Sequence, residues 1–150
     1  MLRELAIRPM ELSDLDRVLE IEKKSFPSPW SKYAYLSELC ENKHAHYLVG
    51  EVLGKVVSYG GIWTILDEAH ITTIAVDPDY RGRNYGEQML AALIKAALQR
   101  MAEKMTLEVR KSNYPAQSLY LKFGFEPAGI RKGYYVDNNE DAIIMWKQLV

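Results

Sequence analysis

Leu5 and Ile7 alternate with polar neighbours, the period of a short half-buried strand. From Leu15 the period lengthens. Leu15, Val18, Leu19 and Glu22 recur at helical spacing, apolar except for the last, and Ser13 with Asp16 behind it predicts a capped helix start. The run Ser25-Phe26-Pro27-Ser28-Pro29-Trp30-Ser31 breaks that helix with two prolines, and Ser31 caps a second helix reaching about Cys40. β-rich runs follow at Tyr47-Leu48-Val49, Val56-Val57 after a turn at Gly54, Ile62-Trp63 and 71–76. Residues 84–100 predict a long helix with Leu90, Leu93, Ile94, Ala97 and Met101 on one stripe. A strand at 105–110 and a short helix at 115–123 come next, the helix closed by Gly124 as a left-handed cap. Two further strands join at 137–140. Strands before, between and after helices predict a mixed α/β sheet with helices on its faces, the crossovers through the long and short helices supplying its parallel parts.

The 150 residues fit one domain, 1–150, with one core, and 48% hydrophobic with 26% charged residues is a globular composition. The net charge of -1 with mixed signs supplies no basic field, so nucleic acid is not an expected partner. The first 14 residues hold acids and a proline rather than an apolar run, which predicts neither secretory signal nor membrane span and hence a cytoplasmic protein. The single Cys40 is expected to be a small buried hydrophobe. His44, His46 and His70 lack partners at ligand spacing, so no metal site is expected.

Chemistry first concentrates in Ile74-Ala75-Val76-Asp77-Pro78-Asp79-Tyr80-Arg81-Gly82-Arg83-Asn84-Tyr85-Gly86, an apolar strand turning into the long helix. Backbone N–H groups at such a helix start favour an anion such as a pyrophosphate. A nucleoside-triphosphate loop would need Lys and Ser or Thr after its last glycine, where Glu87 and Gln88 stand, and the dinucleotide pattern G-x-G-x-x-G is absent. The alternative is an ordinary strand-to-helix turn with helpful glycines. The string resembles the acetyl-coenzyme A motif of the GNAT superfamily of N-acetyltransferases, with Arg81 and Gly86 in place and Asn84 where that motif carries its first glycine. Asn tolerates left-handed backbone, so a strain of about 1 kcal/mol rather than loss of the site is expected.

Downstream, Leu107-Glu108-Val109-Arg110, Ser112-Asn113, Leu119-Tyr120 and Gly124-Phe125 resemble the bacterial ribosomal-protein-alanine N-acetyltransferase (RimI) branch of that superfamily. The resemblance covers most of the chain. It implies a largely antiparallel central sheet with a splayed parallel pair at the cofactor site, and acetyl-coenzyme A as donor. It also implies cofactor contacts from Ile74, Ala75, Val76, Arg81, Gly82, Arg83, Asn84, Tyr85, Gly86, Glu87, Asn113 and Tyr120.

On chemistry alone, an α-ammonium with pKa near 8 is only about one-tenth neutral at pH 7, so a base is useful. Glu108 alternates with apolar Leu107 and Val109 and can fill that role; burial is expected to raise its pKa. The resemblance assigns Tyr120 as the general acid facing the departing thiolate. A phenol near pKa 10 facing a thiolate near 8.5 is mismatched by roughly 2 kcal/mol, which favours hydrogen-bond donation over full transfer. By position alone Tyr120 reads as a core tyrosine, and the flanking match is what assigns it the chemical role. Asn113 can cap the short helix, bond the cofactor, or both. Phe26, Pro29 and Trp30, with Tyr134 and Tyr135, wall the peptide slot in the resembling enzymes; Phe26 and Trp30 could equally plug the core from their loop, and the tyrosines pack across strands.

The implied acceptor is the N-terminal α-amine of a protein, a small-subunit ribosomal protein with N-terminal alanine, acetylated directly in a ternary complex. A small amine or lysine side chain, and a non-catalytic acyl-coenzyme A-binding regulator, are the rival readings. The regulator would need neither Glu108 nor Tyr120.

Overall fold

The computed structural model describes residues 4–150. Among them, β1 (Ala6–Pro9), β2 (Ala45–Val52), β3 (Lys55–Ile65), β4 (Glu68–Val76), β5 (Lys104–Arg110), β6 (Glu126–Tyr135) and β7 (Glu140–Gln148) form one sheet in the order β1-β2-β3-β4-β5-β7-β6. Four α-helices cover it: α1 (Leu15–Ser25), α2 (Lys32–Cys40), α3 (Tyr85–Gln99) and α4 (Tyr114–Lys122). No described helix is long and apolar enough to cross a membrane.

Two cores result, one on each face. Leu90, Leu93 and Ala97 of α3 and Tyr120 of α4 pack with Met105, Leu107 and Val109 of β5. Leu15, Val18 and Ile21 of α1 and Tyr35 of α2 pack with Tyr47, Val49 and Tyr59. Neighbouring glycines of β3 leave room for α3 at one and for the cross-strand ring of Tyr47 at the other. A Cβ on Gly60 would meet Leu93 Cδ1 at 2.8 Å, and one on Gly61 would meet the Tyr47 ring at 2.2 Å, closer than real side chains come.

The strand pairing is antiparallel except at β4–β5, where Glu68, Ala69 and His70 pair in parallel with Lys104, Met105 and Thr106. That pairing stops at His70. Just beyond, β4 carries an extra residue, Thr72, since Ile71 pairs with Ile62 and Thr73 with Gly61. Such a bulge bends a strand and raises its twist. β4 stays with β3 as far as Val76 while β5 stays with β7 as far as Arg110, so a wedge opens between β4 and β5.

Several sequence expectations are corrected. The short-helix crossover makes no hydrogen-bonded parallel pair, because β7 inserts between β5 and β6. Ser13 lies inside a 3-10 turn, Leu12–Asp14, whose capping box is formed by Glu11 and Asp14, and α1 starts only after it. Met101 falls past the end of α3 at φ 67° and is 80% exposed, so the apolar stripe ends before it. Cys40 is exposed at the last turn of α2.

Glu22, the polar exception on the α1 stripe, is 2% exposed. It accepts from the Tyr35 hydroxyl at 2.9 Å, the Tyr59 hydroxyl at 2.5 Å and the Trp30 backbone N–H at 2.8 Å. A carboxylate can be buried when its lone pairs are met in this way, and here it ties α1, α2, β3 and the loop before α2 together.

Candidate active site

The wedge between β4 and β5 has a different chemical group on each side of the sheet. Leu107 and Val109 turn into the α3/α4 core, so the strand period turns Glu108 to the opposite face. There its side chain is 11% exposed, and Oε2 lies 2.5 Å from His70 Nε2. Its Oε1 lies 3.5 Å from Arg131 Nε on β6. An ionised carboxylate only accepts, so His70 Nε2 carries the proton of this bond. The His70 bond, against the opposing effect of burial and with help from Arg131, holds the Glu108 carboxyl below its usual range. The expected upward shift is therefore wrong in sign, because the hydrogen bond from His70, with Arg131 nearby, outweighs desolvation.

Glu108 opens onto a pocket of about 350 Å³ walled by Trp63, His70, Thr106, Arg131 and Trp146. Tyr134 and Tyr135 end β6, the strand that carries Arg131, outside the pocket's own lining. Their rings meet edge to face at 5.1 Å, and the Arg110 guanidinium lies 4.0 Å over the Tyr135 ring. Burial first, and then Tyr134, push Tyr135 up to about 12, with Glu108 adding to the shift. Burial and then Glu108 also raise Tyr134. Of the expected peptide-slot residues, these two come to Glu108. Phe26 and Trp30 pack onto the α1/α2 core, Trp30 at 5.1 Å from the Tyr35 ring, which favours the core-plug reading for both; Pro29 is exposed in the same loop.

Tyr120 lies on the other face. It is 5% exposed, edge-on to Phe125 at 5.8 Å, and burial followed by the field of Tyr135 raises its pKa. The contact of Tyr135 with Arg110, the last residue of β5, puts it at the open end of that strand. Asn113 caps α4, its side chain accepting from Ala116 N–H at 3.2 Å, and Gly124 closes that helix at φ 89°.

The cradle residues follow the wedge outward. Ile74, Ala75 and Val76 pair with β3 alone over this stretch. Asp77, which accepts from Asp79 N–H at 3.0 Å and is paired with Arg17, holds the turn Pro78–Tyr80. Arg81 and Arg83 are exposed, Arg83 stacking 5.1 Å over the Tyr80 ring. Gly82 at φ 78° and Asn84 at φ 64° are both left-handed. Tyr85, buried, and Gly86 open α3. A Cβ on Gly86 would meet nothing nearer than Leu119 Cδ2 at 3.7 Å, so no contact within the chain demands glycine there. Glu87 pairs with Lys122 Nζ at 2.5 Å and links α3 to α4.

Asn84 makes no side-chain cap hydrogen bond, so its residue type is set by backbone geometry alone. Asn84→Ala should lower stability by about 1 kcal/mol and Asn84→Gly should leave it nearly unchanged, in urea unfolding. Equal losses in both would show that the side chain itself is needed.

Sheet edge, helix N-terminus and exposed arginines together suit a long ligand with amides at one end and phosphates at the other. The chain matches the acetyltransferase (GNAT) family model over residues 15–125. It belongs to that family. A GNAT member takes its acetyl group from acetyl-coenzyme A, and the edge Ile74 to Val76 with the loop into α3 fits that donor.

Among relatives, a Bacillus subtilis protein provisionally named a [ribosomal protein bS18]-alanine N-acetyltransferase is 52% identical over 94% of this chain and 93% of its own. The [ribosomal protein bS18]-alanine N-acetyltransferase of Escherichia coli K12 is 38% identical over 93% of this chain and 94% of its own. A crystal structure of the Escherichia coli ribosomal-protein-S18-alanine N-acetyltransferase superposes with a TM-score of 0.88 at 35% identity, covering 97% of this chain and 94% of that one.

Sequence reasoning missed His70, Arg131 and Trp63. Their only signal is register, since the parallel pairing of His70 with Thr106 puts it one alternation from Glu108.

Proposed function

We propose that this acetyltransferase acetylates the N-terminal α-amine of a protein, a small-subunit ribosomal protein with N-terminal alanine, by direct transfer in a ternary complex in the cytoplasm. The observation that carries the reading is the placement of the Glu108–His70 pair and Tyr120 on opposite faces of one wedge. The similarity to the two bS18-alanine N-acetyltransferases supports the choice of acceptor.

When bound, acetyl-coenzyme A supplies an acyl carbon activated as a thioester. The backbone of Ile74, Ala75 and Val76 aligns its amide arm as an added strand would, while the N–H groups from Gly82 to Glu87, with Arg81 and Arg83, receive the phosphates. Asn113 and Tyr120 face the same arm from α4. On the other face Tyr134, Tyr135 and the exposed Pro29 of the loop before α2 wall the peptide, while Phe26 and Trp30 anchor that loop in the core. Glu108 accepts a hydrogen bond from the amine and takes its proton, directly or through one water, as nitrogen bonds to carbon. An N–H becomes much more acidic as its nitrogen bonds to an acyl carbon, so a carboxylate of low pKa suffices and no raised pKa is required. Tyr120 donates to the sulfur as the C–S bond breaks, and its raised pKa makes it a donor that keeps its proton.

Peptides carrying the first residues of the organism's own bS18 should be acetylated at the α-amine. Blocking that amine should abolish incorporation even with internal lysines present. Acetylation confined to lysine side chains, or to small amines such as polyamines, would overturn the acceptor.

A further inference from the structure

Glu38 lies on α2, two helical turns after the Ser31 cap, and no part of the mechanism above uses it. Its Oε1 accepts from the Trp63 indole N–H at 2.5 Å and from the Tyr47 hydroxyl at 2.7 Å, and its Oε2 accepts from Asn42 Nδ2 at 2.8 Å. The Tyr47 hydroxyl also meets Thr72 Oγ1, the bulge residue, at 2.9 Å. Trp63 stands perpendicular to the His70 ring at 6.1 Å between centroids, and His70 meets Glu108 at 2.5 Å. A helix carboxylate, an indole, an imidazole and a strand carboxylate thus form one chain across α2, β3, β4 and β5.

Each link restricts the next. An indole N–H that lost its acceptor would turn to find another, and the ring would leave the imidazole edge it now walls. The imidazole could then rotate, and the N–H it aims at Glu108 would spread over several directions. The other charged or titratable groups near Glu108 and His70 are Arg131, Tyr134 and Tyr135 on β6 and Glu68, which is paired with Lys104 at 3.5 Å. Among their described hydrogen bonds and ion pairs, none runs through Glu38.

We propose that Glu38 is a positioning residue for acetyl transfer, holding Trp63 against His70 so that the His70–Glu108 pair meets the acceptor amine in one orientation. The proposal rests on Glu108 being the base. It adds that the helix following the acceptor-side loop sets the geometry of that base.

The test is a double-mutant cycle on the full chain with acetyl-coenzyme A and an Ala-terminated peptide. Glu38→Ala should lower kcat about tenfold with both KM values within about twofold. Glu38→Gln, which keeps a carbonyl oxygen for the indole, should recover most of that loss. In a His70→Ala background, Glu38→Ala should cost less than about twofold more. Trp63→Phe, which keeps a ring against His70 without the N–H, provides the cycle with His70 if Glu38→Ala does not fold. An unchanged kcat in Glu38→Ala, an equal loss with and without His70, or a rise in the KM for acetyl-coenzyme A that matches the fall in kcat would overturn it. Full turnover in Glu108→Gln would instead remove the base assignment itself, and the proposal with it.

Discussion

Glu108→Gln should lower kcat by roughly a hundred- to ten-thousandfold, the range general acid–base catalysis typically contributes, while the KM for acetyl-coenzyme A should stay within about twofold. The split follows from the sheet. Glu108 lies on the face opposite α3 and α4, so the donor groove does not include its side chain. Glutamine keeps the volume and an oxygen for the His70 N–H, so the fold should persist and thermal unfolding should show it. The lowered pKa fixes the pH behaviour. Glu108 is already ionised throughout the neutral range, so the rise of kcat/KM between pH 6 and 8 belongs to the acceptor ammonium, with pKa near 8, at about ninefold from pH 6 to 7 and about fivefold from pH 7 to 8. A limb that moved with the Glu108 substitution would contradict this assignment. Loss of donor affinity in step with kcat would instead mean that Glu108 acts by holding the wedge open.

Tyr120→Phe should cost roughly a hundredfold or more in kcat, comparable to removing one preorganised donor to a developing anion. Tyr120 is buried against Phe125 in an otherwise apolar core, so phenylalanine fits the same space and leaves no cavity. The defect should shrink with an acetyl thioester whose thiol is more acidic than that of coenzyme A, since a better leaving group needs less help. Loss that is independent of the thiol would place the role of Tyr120 in packing rather than donation. Measuring kcat for both enzymes with a series of acetyl thioesters separates the two.

Local features are legible in the amino-acid sequence. Ser31 and Asn113 cap the helices assigned to them, Gly124 closes α4 left-handed, and Asn84 takes a positive φ of the kind its side chain tolerates. Each depends on a few adjacent residues, which is why single-chain chemistry suffices. The alternation of Leu107, Glu108 and Val109 likewise puts the carboxylate on its correct face. What stays hidden depends on pairing between distant segments. His70 stands 38 positions from Glu108, and only the three-residue parallel register of β4 and β5 brings them together. Without His70 and Arg131 in view, burial is the only visible influence on Glu108, and it points to a shift of the wrong sign. Glu22 shows the same limit. Its place on an apolar stripe is plain, but the Tyr35 and Tyr59 hydroxyls that permit its burial come from another helix and a strand. Met101 fails for a local reason instead, because α3 stops before it and the turn exposes it. The order β5-β7-β6 is similarly out of reach, since a crossover helix does not say which strand will insert beside its predecessor.

If one wedge holds the base and the sulfur-facing donor on opposite sides of the sheet, a bound conjugate of donor and acceptor must thread it. A crystal structure with a coenzyme A conjugate of an Ala-terminated peptide tests this most directly. The amide arm should run along Ile74 to Val76, with the sulfur within hydrogen-bond reach of the Tyr120 hydroxyl and the former α-nitrogen within reach of Glu108 directly or through one water. A conjugate lying wholly on one face of the sheet, with its nitrogen away from Glu108 and its sulfur away from Tyr120, would contradict it.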